Sequence, residues 1–167
     1  MPIITNLGSS TIVFTIVTIL LIYGILKNNV KIKRIAIIGL IALIITTTII
    51  FILKISINEP RPFISLKYVN LLIIENDPYS FPSGHSGNIF AFATAFGLNW
   101  KLKIKEKSFK LAWILFPIGI LVCFSRIYIG VHYPFDILFG AIIGIFGGLI
   151  ATMIVNKYIE NRLFKNK

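Results

Sequence analysis

The sequence predicts an all-α integral membrane helical bundle of about five transmembrane helices, and three observations carry that expectation. Hydrophobic residues make up 56% of the 167 positions and charged residues only 14%, with a mean hydropathy of +0.87; water-soluble domains do not hold that balance. Apolar runs close to the roughly 20 residues that a helix needs to cross a bilayer recur along the chain. The lysines and arginines behind the net charge of +11 fall in short blocks between those runs. Nucleic-acid binding would gather them on one stripe beside aromatic residues, so membrane topology accounts for them better.

The first two spans run from Thr11 to Leu26 and from Arg34 to Leu53, with no internal charge. Lys27 to Arg34 follow the first run, no positive residue precedes it and no small-x-small site ends it, so it is expected to remain as a span. A third run covers about Ser83 to Trp100. A fourth covers about Phe109 to Ser125, with a kink expected at Pro117. The last extends from Pro134 to about Asn156, and its Gly140, Gly144 and Gly148 have the spacing that lets helix backbones approach closely in lipid. No repeat or separate soluble domain interrupts residues 1–167, which read as one domain. The single cysteine, Cys123, has no partner for an intrachain disulfide and fits a packing role.

Five spans place the two termini on opposite sides. Lys27, Lys31, Lys33, Arg34, Lys101, Lys103, Lys105, Lys107, Lys110, Lys157, Arg162, Lys165 and Lys167 then share one side, against Lys54, Arg61, Lys67 and Arg126 on the other. The positive-inside rule makes the first side cytoplasmic, so the carboxyl terminus is cytoplasmic and the amino terminus external. The only long connection, Lys54 to Pro82, contains an apolar stretch, Val69 to Ile74, too short to span. It can pack against the bundle or serve lipid access to the site.

The polar residues that do not suit a lipid-facing bundle collect on the external side. Lys54 and Arg61-Pro62 follow the second span, Pro82-Ser83-Gly84-His85 opens the third, and Ser125-Arg126, His132 and Asp136 lie between the fourth and fifth. Ionisable groups at membrane depth are costly and mark functional sites. Two arginines offer planar forks that match phosphate oxygens, and Lys54 adds a point charge. Ser83 and Gly84 stand at a helix start, where free N–H groups and the positive dipole end face an anion. Asp136, in the first turn after Pro134, can fix the tautomer of His132 and free its other nitrogen to attack phosphorus. His85 can then protonate the leaving oxygen. Each residue alone has a plainer reading: a structural histidine, a carboxylate at a helix amino terminus, a snorkelling lysine, a headgroup-anchoring arginine. Their convergence favours phosphate chemistry. Two histidines far apart in sequence, without a cysteine cluster or a His-Glu-x-x-His pair, speak against a metal site.

Lys54-x6-Arg61-Pro62, Pro82-Ser83-Gly84-His85 and Ser125-Arg126-x5-His132-x3-Asp136 resemble the three-part motif of the type 2 phosphatidic acid phosphatase superfamily, which includes membrane lipid phosphatases and soluble haloperoxidases. Eleven fixed residues match in order over residues 54–136. The resemblance implies a metal-independent, cofactor-free phosphohydrolase with a phosphohistidine intermediate. By matching position His132 is the nucleophile, Asp136 orients it and His85 is the general acid. Lys54, Arg61, Ser83, Gly84 and Arg126 bind the phosphoryl oxygens. Members commonly have six membrane helices; the helix lacking here would lie before Lys54.

Confinement to the membrane points to a lipid phosphate or diphosphate as substrate, with the bilayer as the other partner and no nucleic acid. An external site suits a polyprenyl diphosphate such as undecaprenyl diphosphate. Phosphatidylglycerophosphate or phosphatidic acid is the alternative, and a non-catalytic lipid-headgroup binder the distant one. Oligomeric state is open.

Overall fold

Ser9 and Asn29 open the first two long helices by accepting, on their side-chain oxygens, the backbone N–H groups of Ile12 and Ile32 at 3.3 and 3.1 Å, which satisfies donors that helix geometry leaves unpaired. The computed structural model describes residues 2–69, 71–104 and 106–159. The elements in chain order are α1 (Pro2–Asn6), α2 (Ser10–Leu26), α3 (Val30–Ile57), α4 (Pro62–Ser65), α5 (Gly84–Asn99), β1 (Lys101–Ile104), β2 (Lys107–Lys110), α6 (Ala112–Tyr128) and α7 (Pro134–Ile154), with a π-helical turn at Val155–Ile159. The helical bundle is therefore as expected, but among the described residues α3 and α7 alone are long and apolar enough for a full crossing. Helices α2 and α6 have 17 residues and α5 has 16, short of the roughly 20 that span a bilayer.

Two boundaries differ from the sequence reading. Helix α3 runs 28 residues, because Asn29 caps it ahead of the charged turn Lys31–Arg34, and it continues past Lys54 until Asn58 adopts a left-handed conformation (φ 53°). The fourth span begins at Ala112, not Phe109. Lys101–Ile104 and Lys107–Lys110 pair as an antiparallel hairpin with Leu102 opposite Phe109, so the fold is not purely α. Polar and apolar residues alternate along Lys101-Leu102-Lys103-Ile104, and that period of two belongs to a strand. Of the thirteen cations placed on one side, Lys105, Arg162, Lys165 and Lys167 lie outside the described residues.

Helix α5 is the axis of the bundle, packed by α3, α6 and α7. Small residues allow it. A Cβ on Gly140 or Gly144 would strike the carbonyl oxygen of Ser83 or Gly87, and one on Gly148 would lie 2.6 Å from Thr94 Cβ, which is the close backbone approach expected of these glycines. Val17, Ile35, Leu43 and Ala91 form the main apolar core, with Cys123 in a second cluster beside Phe90 and Val122. Leu26, Phe51, Trp113, Phe135 and Met153 remain largely exposed around the rim; helices apolar on their outer faces as well are those of a membrane protein.

The ends of the bundle differ. At one end Lys31 Nζ lies 5.4 Å from the centre of the Trp100 ring and Arg34 donates to Asn156, which joins the start of α3 to the ends of α5 and α7. At the other end the carboxyl termini of α3 and α6 meet the amino termini of α5 and α7, and Arg61, Glu75 and Asp77 of the α3–α5 connection line the cavity between them. Within that connection Leu71, Leu72 and Ile74 form no regular structure and are exposed, while Asn70 lies outside the described residues.

Candidate active site

The carboxyl end of α3 carries Lys54, and Pro60 and Pro62 hold the chain between them extended, so that Arg61 turns back under the bundle. The Pro60–Tyr79 bridge fixes this return. Arg61 is 2% exposed, and all its nitrogens are engaged. Nε donates to the Asp77 carbonyl, Nη1 to the Val131 carbonyl at 2.9 Å, and Nη2 lies 3.3 Å from Asp77 Oδ2 and 3.6 Å from Glu75 Oε1. In the last turn of α6, Arg126 donates through Nη1 to Thr5 Oγ1 at 3.1 Å and through Nη2 to Glu75 Oε2 at 2.7 Å. Lys54 Nζ is 2.8 Å from Asp77 Oδ2 and also donates to the Tyr79 carbonyl.

His132 sits in the α6–α7 loop with its two nitrogens in different surroundings. Nδ1 faces Asp136 Oδ2 at 3.2 Å, and Nε2 faces Arg61 Nη1 at 3.3 Å. The guanidinium can only donate, so Nε2 is the unprotonated nitrogen and Nδ1 carries the hydrogen bonded to the carboxylate. Asp136, at the third position of α7, reaches back to the Tyr133 N–H at 2.8 Å, as a carboxylate at that helix position can, and also accepts from the buried Ser80 hydroxyl. Burial pushes the His132 pKa down; the Asp136 bond opposes this, Arg61 and Arg126 add to it, and the value settles at about 4. Burial works to raise the Asp77 carboxyl, but its hydrogen bonds to Lys54 and the Tyr79 N–H, with the charges of Lys54 and Arg61, hold it below the usual range.

Lys54, Arg61, Gly84, His85, Arg126 and His132 all line one cavity of about 260 Å³. A Cβ built on Gly84 would meet nothing within 4 Å, so the glycine leaves space at a helix start whose first N–H groups have no intrahelical partner. Two expected residues stand behind the wall. Asp136 backs His132, as its expected role requires. Ser83 does not line the cavity: its N–H donates to the Asp136 carbonyl at 3.0 Å and its hydroxyl caps α5 at Ser86, so Ser83 ties α5 to α7 and leaves Gly84 and His85 nearest the space. No group of three His, Cys, Asp or Glu suited to a metal ion occurs among the described residues.

Thr5, Glu75, Asp77 and Ser80 were missed by sequence reasoning. The acidic pair had one detectable signal: of six Asp and Glu residues in the chain, Glu59, Glu75, Asp77 and Asp136 all fall on the side assigned to the site. Carboxylates this scarce gathered beside cations are partners for those cations.

A family profile described as the PAP2 superfamily matches residues 35–160. Over 86% of this chain the sequence is 31% identical to the candidate undecaprenyl-diphosphatase YbjG of Escherichia coli K12, of which the match covers 67%. It is 35% identical to the undecaprenyl-diphosphatase BcrC of Bacillus subtilis 168 over 55% of this chain and 43% of that one. The crystal structure of Aquifex aeolicus LpxE superposes with a TM-score of 0.73 at 32% identity, covering 90% of this chain and 81% of that one. That of a PAP2-type phosphatidylglycerolphosphate phosphatase from Bacillus subtilis gives 0.72 at 23% identity, over 93% and 74%, a likeness of fold.

Proposed function

This chain belongs to the PAP2 superfamily, and we propose from that premise that it is a metal-independent lipid phosphatase that removes the terminal phosphate of a membrane lipid phosphate or diphosphate, with polyprenyl diphosphate as the preferred class. One observation carries the chemistry: His132 is held through Nδ1 by Asp136, its unprotonated Nε2 accepts from Arg61 Nη1, and both residues line one cavity with Lys54, Arg126 and His85. A phosphoryl group placed there is clamped by three cations and the first N–H groups of α5.

In the first half-reaction His132 Nε2 attacks phosphorus. The N–P bond forms, the P–O bond to the lipid moiety breaks, and His85 gives its proton to the departing oxygen. In the second, water attacks the phosphohistidine and passes a proton to His85. The N–P bond breaks and orthophosphate leaves. The preference for a polyprenyl diphosphate is supported by the names that YbjG and BcrC carry. We place the site on the external face on the strength of the charge bias between the two ends of the bundle.

The test is phosphate release from a panel of lipid phosphates in the presence of chelator, in detergent and in sealed vesicles of known orientation. The wild type is expected to cleave polyprenyl diphosphate faster than phosphatidic acid or phosphatidylglycerophosphate, on the external side, and His132→Ala to lose about 10⁴-fold or more in kcat. Unchanged release by His132→Ala would remove the mechanism. Faster cleavage of the glycerolipids would reassign the substrate.

A further inference from the structure

Beyond the cations, the cavity has a second polar floor. Asn88 lies on α5 one turn past His85 and lines the same cavity, together with Ser10 and Thr47. It is 1% exposed. Its Nδ2 donates to Ser10 Oγ at 2.8 Å, while its Oδ1 is buried without a hydrogen-bond partner. A buried amide oxygen left unpaired costs about 1–3 kcal/mol. The amide can turn end for end and keep its bond to Ser10, whose hydroxyl donates as readily as it accepts. The turned amide puts an N–H₂ group where the unpaired oxygen now stands.

The direction of the reaction says what such a donor would meet. Attacking and leaving atoms lie roughly in line through phosphorus. With His132 on the attacking side and His85 protonating the leaving oxygen, whatever that oxygen is bonded to lies on the α5 side of the cavity. In a monoester it is carbon; in a diphosphate it is the second phosphorus, with oxygens that carry charge and accept hydrogen bonds. Asn88 is three residues along α5 from His85, about 4.5 Å of helix rise, towards Thr47, Ile50 and Phe51 of α3.

We infer that Asn88, braced by Ser10, is the binding site for the leaving phosphate of a diphosphate substrate, and so sets the preference for diphosphates over monophosphates. This rests on the phosphatase reading above and adds a substrate-class determinant to it. His85 and the cations act on the transferred phosphoryl group and its bridging oxygen, which both classes share, whereas Asn88 reaches an oxygen that only one class has.

The experiment measures kcat/KM for a polyprenyl diphosphate and for the monophosphate of the same chain length, with wild type, Asn88→Ala and Ser10→Ala. In Asn88→Ala the diphosphate-to-monophosphate ratio is expected to fall about tenfold, the effect of one hydrogen bond to a charged group. Because each ratio is taken within a single preparation, a reduced yield of folded protein cancels. Ser10→Ala alters an exposed residue, keeps the fold, and is expected to lower the ratio in the same direction; it carries the test if Asn88→Ala yields no folded protein. A ratio unchanged in both variants, whether the two activities fall together or not at all, overturns the inference. A wild type that cleaves monophosphates and leaves diphosphates intact overturns the diphosphate reading beneath it instead.

Discussion

Two guanidinium groups and a near-complete loss of contact with water surround an imidazole whose ordinary pKa is about 6.5. In His132 burial and then Arg61 and Arg126 outweigh the Asp136 bond and hold the value at about 4. The folded-state pKa is depressed, so His132, the proposed nucleophile, stays largely neutral from neutral pH down to about 5 and becomes protonated as the pH falls through about 4. We therefore expect kcat/KM, which reports the essential acid and base of the free enzyme, to fall through an acid limb near 4 as His132 is protonated, and to fall again on the alkaline side where His85 loses the proton it must give to the leaving oxygen. An acid limb near 6.5, measured with a soluble short-chain substrate and not accounted for by that substrate's own phosphate titration, would contradict the depressed value for His132. At this scale the sequence was informative because the motif residues have fixed spacings and each has a distinct chemical use. Ser80 was not legible, since a serine two residues before a proline carries no sign that its hydroxyl will meet a carboxylate 56 positions later.

The connection between α3 and α5 is the element that sequence patterns described least well. It has neither helical nor strand period, and its exposed Leu71, Leu72 and Ile74 drew notice only as a run too short to span. Its acidic pair matters more. Glu75 and Asp77 pair with Arg61, Arg126 and Lys54, the cations proposed to hold the phosphate, and on that proposal an arriving phosphate competes with these carboxylates. Removing one such partner leaves the guanidinium free for an anion. Glu75→Gln is expected to tighten inhibition by orthovanadate about fivefold, equivalent to about 1 kcal/mol for a partly exposed pair. A weaker inhibition would mean that Glu75 chiefly holds Arg126 in place for the phosphate. The β1–β2 hairpin shows the same limit of pattern reading: a short basic segment whose alternation is confined to Lys101-Leu102-Lys103-Ile104 merges into the apolar run that follows it unless its period is tested separately.

For the whole molecule, composition and lysine distribution were enough to predict a membrane bundle with one polar end, because lipid admits few other arrangements of so apolar a chain. The end-to-end pairing of Lys31 with Trp100 and Arg34 with Asn156, opposite the cavity, agrees with the alternating direction of the helices. Helix lengths were less legible. Capping by Asn29 and the left-handed Asn58 set the ends of α3, and neither shows in a hydropathy average. The bundle brings residues 54–61, 84–85 and 126–136 to one cavity through glycine contacts between α5 and α7, and the account depends on that convergence producing a covalent step at His132. The direct measurement is to quench turnover of a ³²P-labelled lipid phosphate in alkali, which spares phosphohistidine, and map the label by peptide sequencing. The account predicts label on the peptide that contains His132, chased into orthophosphate by unlabelled substrate. Steady turnover with no phosphoenzyme, or label on any other residue, would contradict it.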